Sequence, residues 1–249
     1  MANALRLFGL RAVVTCAASG IGEAIVRTLI KHGAEVLAVD GPKSGVAQHF
    51  AAVRGIHGLA TAFDDPDRIP ALVEEAAAKL GTLDILVNDF PLAPQTPIAA
   101  EGAGLDELLR RRAELIMAMC RSALPYLKKS PAGRIVNMGF LRSAFTADAQ
   151  AACQRAERDL AAVSRALAAE TGSFGITANY VQPGGIMTPE SREVFRKNKA
   201  LRDYCIASSA ARRLGEPVDV AKVVLFLASD DAVFVSGTGV AVDGGRIED

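Results

Sequence analysis

Short runs rich in aliphatic and β-branched residues alternate along the chain with longer stretches in which apolar positions recur every three or four residues. These are the periods of buried strands and of amphipathic helices. Residues 11–16, Arg-Ala-Val-Val-Thr-Cys, predict a strand; small residues follow, then a helical pattern over 23–32 that stops at Gly33. Residues 35–40 predict a second strand, and a helix is expected around 46–53, beyond Pro42 and Gly45. A short third strand is expected at 61–63, a helix over 69–80 that ends at Gly81, and an apolar strand over 83–87 that runs into Asn88. Then come a long helix over 105–129, a strand at 133–138, a helix at 149–170, a strand at 176–181, a helix at 218–227 and a final strand at 239–242.

Strands separated by helices of this length cannot pair as hairpins. The pattern therefore implies an α/β fold with a parallel sheet and helices on both faces, the doubly wound arrangement. No Pro/Gly/Ser-rich linker or internal repeat divides the chain, so residues 1–249 read as one domain. The long irregular stretch, 182–209, starts rich in Gly and Pro and becomes charged. In such a fold it lies beyond the carboxyl ends of the strands, where ligands bind, and it is expected to act as a substrate lid.

Composition narrows the function. At 249 residues and 50% hydrophobic the chain can bury a full core, and 28 basic against 28 acidic residues leave none of the basic excess that a phosphate backbone needs. Nucleic acid is not an expected partner. The N-terminus lacks a signal-peptide layout and the apolar runs break before membrane-spanning length, so a soluble, cytoplasmic protein with no membrane partner is expected. The four cysteines, Cys16, Cys120, Cys153 and Cys205, and three histidines are too scattered for a disulfide framework or a zinc site, so no metal is expected.

The segment Thr15-Cys16-Ala17-Ala18-Ser19-Gly20-Ile21-Gly22 resembles the glycine-rich turn of the short-chain dehydrogenase/reductase family, Thr-Gly-x-x-x-Gly-x-Gly. The likeness continues through Asp40, Asp64 and Asn88 after successive strands, Pro183-Gly184 with Thr188, Arg213 to Pro217, and Val242-Asp243-Gly244-Gly245. It implies a single Rossmann-like domain whose turn amides approach a dinucleotide pyrophosphate, helped by the helix N-terminus. Ser19, Ile21, Asp40, Asp64 and Asn88 would be the cofactor-binding positions, and an acid at Asp40 favours NAD over NADP. Cys16, however, stands where the family has its first Gly, and Asn88-Asp89-Phe90-Pro91 replaces Asn-Asn-Ala-Gly. Both changes put bulk beside the cofactor.

The family's catalytic positions have changed as well. Registered on the segment from Leu160 to Ala168, the family's Tyr falls on Cys153 and its Lys on Glu157; its Ser falls on Phe140, and its active-site Asn on Arg112. The usual mechanism needs a phenol whose proton affinity is lowered by a neighbouring ammonium. Glu157 reverses that field and is expected to raise the Cys153 thiol, while Phe140 donates no hydrogen bond. The Ser, Tyr and Arg of the halohydrin dehalogenase branch are not matched either. Tyr180 and Tyr204 read as core and interface residues rather than substitute acids.

The segments nearest the family pattern are those it uses for assembly, including the Ala-rich stretches at 151–152, 161–162 and 166–169. The resemblance thus implies a noncatalytic subunit without its own cofactor, paired with a catalytically intact homologue that carries NAD, in a hetero-oligomer of tetrameric type. Two other readings stay open: an active NAD-dependent oxidoreductase with displaced catalytic groups, and a ligand-binding sensor.

Overall fold

The computed structural model describes residues 6–90, 103–139 and 147–247. Its centre is a parallel sheet in the order β3-β2-β1-β4-β5-β6-β7. The strands are β1 (Arg11–Thr15), β2 (Glu35–Asp40), β3 (Ile56–Ala60), β4 (Ile85–Asn88), β5 (Arg134–Met138), β6 (Thr177–Pro183) and β7 (Gly239–Val242). The order reverses between β1 and β4, which pair through Ala12↔Ile85, Val13↔Leu86 and Val14↔Val87. This is the doubly wound parallel sheet that the alternation of strands and helices implies.

Strand side chains alternate between two cores. Val14, Val36, Ala38, Ile85 and Val87 face α1 (Gly20–Lys31), α2 (Val46–Phe50) and α8 (Pro217–Ala228), with Ile25, Leu29, Phe50, Val220 and Val224 packed against them. Val13, Leu37, Val39, Leu86 and Ile135 face α3 (Ile69–Leu80), α4 (Ala103–Leu127) and α5 (Ala147–Thr171), which contribute Val73, Ile116, Met119, Leu160 and Leu167. Helix α3 stops where expected, because Gly81 takes the left-handed conformation at φ 78° and donates to the Ala77 carbonyl.

Two expectations need correction. The third strand is Ile56–Ala60 rather than 61–63, and it pairs with β2 through Val36↔Ile56 to Asp40↔Ala60. Its weak pattern, Ile-His-Gly-Leu-Ala, reflects a packing need at Gly58, where a Cβ would lie 2.4 Å from the Cα of Ala47 in α2. The stretch 182–209 is also not irregular. It continues β6 to Pro183 and then forms α6 (Pro189–Lys197) and α7 (Lys199–Ala207). A reciprocal capping box between Thr188 and Ser191 starts α6, and the Asn198 side chain accepts from the Leu201 amide to start α7. Phe195, Leu201 and Cys205 bury the inner side of this pair of helices.

Candidate functional site

In an open parallel sheet the crevice for ligands lies at the carboxyl ends of the strands where the order reverses, here between β1 and β4. The turn from β1 into α1 forms one wall. Gly22 is required by contact: a Cβ there would sit 1.9 Å from the Cys16 carbonyl oxygen. Cys16 itself has φ 53°, a left-handed conformation that costs a side-chain-bearing residue about 1–2 kcal/mol. Burial, then the neighbouring carboxylates of Asp89 and Asp40, push its thiol well above the ordinary value; Arg112 opposes them. The thiol is therefore protonated and a poor nucleophile.

The rest of the turn is tied to the chain itself. Asp40, closing β2, accepts from the Ala18 amide at 2.7 Å and from the Gly41 amide at 2.6 Å, one bond to each carboxylate oxygen. Ser19 occupies the N-cap of α1 without capping it. Its hydroxyl donates instead to Glu190 of α6, at 2.6 Å. Ile21 packs against the α1 core. Asp64 lies on an exposed bend after β3, and its carbonyl accepts from Arg111 of α4 at 2.9 Å. The structure thus brings Ser19 and Asp40 to the crevice.

Asn88 lies beneath the crevice. It is fully buried in β4, and its amide donates to Asn137 of β5 at 2.9 Å and toward the Cys120 sulfur of α4 at 3.2 Å. It ties two strands to a helix beneath the crevice. At the rim, Thr15 and Asp89 clasp β1 to β4: the Thr15 hydroxyl donates to the Asp89 carbonyl and accepts from the Asp89 amide at 2.8 Å.

Arg112 is the residue whose position sequence reasoning identified and whose role it did not. Its guanidinium, 5% exposed, donates to the Phe90 carbonyl at 2.5 Å and the Met138 carbonyl at 2.8 Å, and lies 3.2 Å from the Asp89 carboxylate. It therefore bridges the carboxyl ends of β4 and β5. Burial raises the Asp89 carboxyl above its ordinary value and Arg112 pulls it back; burial likewise lowers Arg112. Beside this pair the Phe90 ring is 2% exposed and meets Phe63, 7% exposed, at 5.6 Å between ring centres.

Of the other changed positions, Cys153 and Glu157 lie half-buried on α5, and Phe140 and Pro91 fall outside the described residues. The Cys153 thiol is raised as expected, but by a different cause: burial raises it and Arg246 draws it down, rather than Glu157 acting on it. Tyr180 is buried in the core, where its ring covers Gly239, and Tyr204 is partly exposed on α7. A separate cavity of about 390 Å³ lies between α7 and the ends of β6 and β7, lined by Gly185, Cys205, Ser209, Arg213 and Gly244.

Sequence reasoning singled out neither Glu190 nor Phe63, and saw Asp89 only as a loop variant. The signal for Glu190 was its place two residues after Thr188 at the start of a charged segment, but its partner Ser19 is 171 residues away.

A parallel sheet reversing at β1/β4, with a tight turn feeding α1 at that point, defines an α/β protein of the dinucleotide-fold class. The family described as enoyl-(acyl carrier protein) reductase matches residues 16–246. The 3-oxoacyl-(acyl-carrier-protein) reductase of Escherichia coli strain K12 is 31% identical over 237 residues, covering 94% of this chain and 96% of the relative. L-fucose dehydrogenase of Bos taurus is 30% identical over 254 residues, covering 98% and 92%. A crystal structure from Agrobacterium tumefaciens, with gluconate dehydrogenase as its candidate assignment, superposes with a TM-score of 0.81 at 27% identity, covering 96% of each chain. The chain belongs to the short-chain dehydrogenase/reductase family of oxidoreductases. Among the described residues, no helix is long and apolar enough to cross a membrane.

Proposed function

We propose that this chain is a noncatalytic subunit of a hetero-oligomeric, NAD-dependent short-chain alcohol dehydrogenase, supporting a catalytically intact homologue that binds the cofactor. The observation that carries the reading is the Arg112–Asp89 pair lodged with Phe90 across the ends of β4 and β5. The family's hydride transfer needs an open crevice there, with small residues beside the cofactor. Here the same space is filled by a buried guanidinium and an aromatic ring.

The residues present do not fit a dinucleotide. Cys16 narrows the turn, Phe63 and Phe90 occupy apolar space next to it, and Asp40, Asp89 and Glu190 surround the Cys16 thiol with negative charge. A pyrophosphate entering this turn would meet three carboxylates against one guanidinium. No group at Cys153 or Glu157 replaces the phenol and ammonium of the usual proton relay.

Assembly is supported by exposed small and apolar surface. Ala162, Ala166 and Ala169 lie exposed on α5, where a partner helix could approach closely. In the segment between α8 and β7, Val233 is 62% exposed and Phe234 fully exposed, and β7 ends the sheet. An apolar grouping of this kind fits a covered surface better than a solvated one. In its arrangement the complex resembles the two-subunit dehydrogenase that acts on 2-(hydroxy(phenyl)methyl)succinyl-CoA in anaerobic toluene degradation, with this chain in the noncatalytic place.

The test is calorimetric titration of the purified chain with NAD, beside affinity purification of the tagged chain from its native cells. The proposal expects no micromolar NAD binding and copurification of an intact short-chain dehydrogenase. Micromolar NAD binding with turnover by the lone chain would establish it instead as an active oxidoreductase with displaced catalytic groups.

A further inference from the structure

Two helices present their N-termini to one carboxylate. Glu190 stands in the first turn of α6, and its Oε1 accepts from the Ser19 hydroxyl at the N-cap of α1. A Cβ placed on Gly20, the first residue of α1, would lie 3.3 Å from Thr188 and 3.4 Å from Glu190 Oε2, so α6 rests directly on the turn. Burial pushes the Glu190 carboxyl up, but hydrogen bonds from Ser19, its own amide and Thr188 outweigh it and hold the group below the ordinary carboxylate value. It is ionised at neutral pH. Helix N-termini carry about half a positive charge and favour an anion in this position.

We infer that Glu190 is an internal counter-anion for the glycine turn, a latch that holds α6 across the crevice by standing where a ligand phosphate would otherwise meet the N-terminus of α1. The inference rests on the cofactor-free reading above and gives it a physical device. In a subunit without a dinucleotide, the N-terminus of α1 would lack the anion that a ligand brings to it, and α6 would have nothing to close upon. Glu190 supplies both, and by the same placement it repels an incoming diphosphate. Ser19 is freed for this by the lack of any cap bond of its own to α1.

Hydrogen exchange on the full chain tests the latch, using Glu190→Ala, Glu190→Gln and Ser19→Ala. The neighbouring Glu193→Ala serves as control, since Glu193 pairs with Arg196 and Lys197 on the solvent side of α6. The latch predicts that Glu190→Ala raises exchange at amides of residues 190–197 and 19–22 by about tenfold or more, with β1, β4 and β5 unchanged. Glu190→Gln, which keeps an acceptor and loses the charge, falls nearer to Ala than to wild type. Ser19→Ala adds little on top of Glu190→Ala, because the two act as one pair. Unchanged exchange in Glu190→Ala overturns the latch, and a Gln variant indistinguishable from wild type overturns its counter-anion character. The failures stay separable: the latch fails through exchange in the variants, the cofactor-free reading through NAD binding to the unmodified chain.

Discussion

Arg112 of α4 and Asp89, just beyond β4, meet at 3.2 Å with the arginine almost wholly buried and the aspartate 22% exposed. Placed at the mouth of the crevice, the pair holds together the ends of two central strands.

Removing the arginine leaves Asp89 without its counter-charge and frees the carbonyls of Phe90 and Met138. Breaking one side of a buried pair costs 3–5 kcal/mol, and the residual exposure of Asp89 puts this case at the low end. Arg112→Met should therefore destabilise the chain by about 3 kcal/mol in urea denaturation. Adding Asp89→Asn should recover most of that loss. A double variant as unstable as the single one would show that the carbonyl bonds, not the charge pair, dominate.

The same pair sets a pH dependence. Burial holds the Asp89 carboxyl above its ordinary 3.8, so between the two values the folded chain binds a proton that the unfolded chain does not. This contribution to stability grows as pH falls through the folded value and is absent above it. Wild type should thus gain stability relative to Asp89→Asn on acidification from neutral pH toward 3.8. Paired denaturation curves across that range measure it, and a widening in the opposite sense would mean that Arg112 outweighs burial.

How legible was this in the sequence? Strand β2 and helix α3 were placed to the residue, because Glu35–Asp40 is an apolar run ended by an acid and Ile69–Leu80 is closed by a left-handed glycine. Strand β3 was misplaced since its glycine answers to Ala47 of α2 packed on the strand, a contact that propensity does not carry. Helices α6 and α7 were missed although Thr188, Ser191 and Asn198 are capping residues, because their charged faces hide a short apolar stripe. The altered positions at the site were readable one by one. The partners of the residues there were not, since Arg112 pairs with Asp89 and Ser19 with Glu190 only through the fold.

Gly22 offers a test of the turn independent of any ligand. A methyl group there must displace the Cys16 carbonyl, and backbone already held at φ 53° has little room to move. Gly22→Ala should cost about 3 kcal/mol, the upper end of overpacking losses, read as a lowered urea midpoint. Gly172→Ala, where a Cβ would meet nothing, is the matched control and should change stability by less than about 1 kcal/mol.

Restoring the family's catalytic residues alone should not create an enzyme. Cys153→Tyr, Glu157→Lys and Phe140→Ser return the phenol, ammonium and hydroxyl, yet leave Arg112, Asp89 and Phe90 in the crevice and Glu190 on the turn. The triple variant should show no NAD-linked alcohol oxidation above background in a spectrophotometric assay. Activity within about a hundredfold of an intact relative would show that the filled crevice is no obstacle.

The assembly surfaces can be told apart by charge. Ala162 is exposed on α5, and Phe234 projects fully into solvent beyond α8. Neither side chain contributes to the buried core, so Ala162→Glu and Phe234→Glu should each leave the thermal midpoint of the isolated chain within about 2–3 °C of wild type. In a hetero-oligomer each would instead bury an unpaired carboxylate among apolar neighbours, at a cost of several kcal/mol per interface. Coexpressed with the intact homologue, a variant on a true interface should lose the full assembly and keep a smaller complex held by the other surface, seen by size-exclusion chromatography with light scattering. Combining both substitutions should release the subunit as a monomer. If the unmodified chain is itself a stable monomer beside every intact homologue encoded with it, the subunit proposal fails, and the cavity lined by Cys205 and Arg213 becomes the place to look for a sensed ligand.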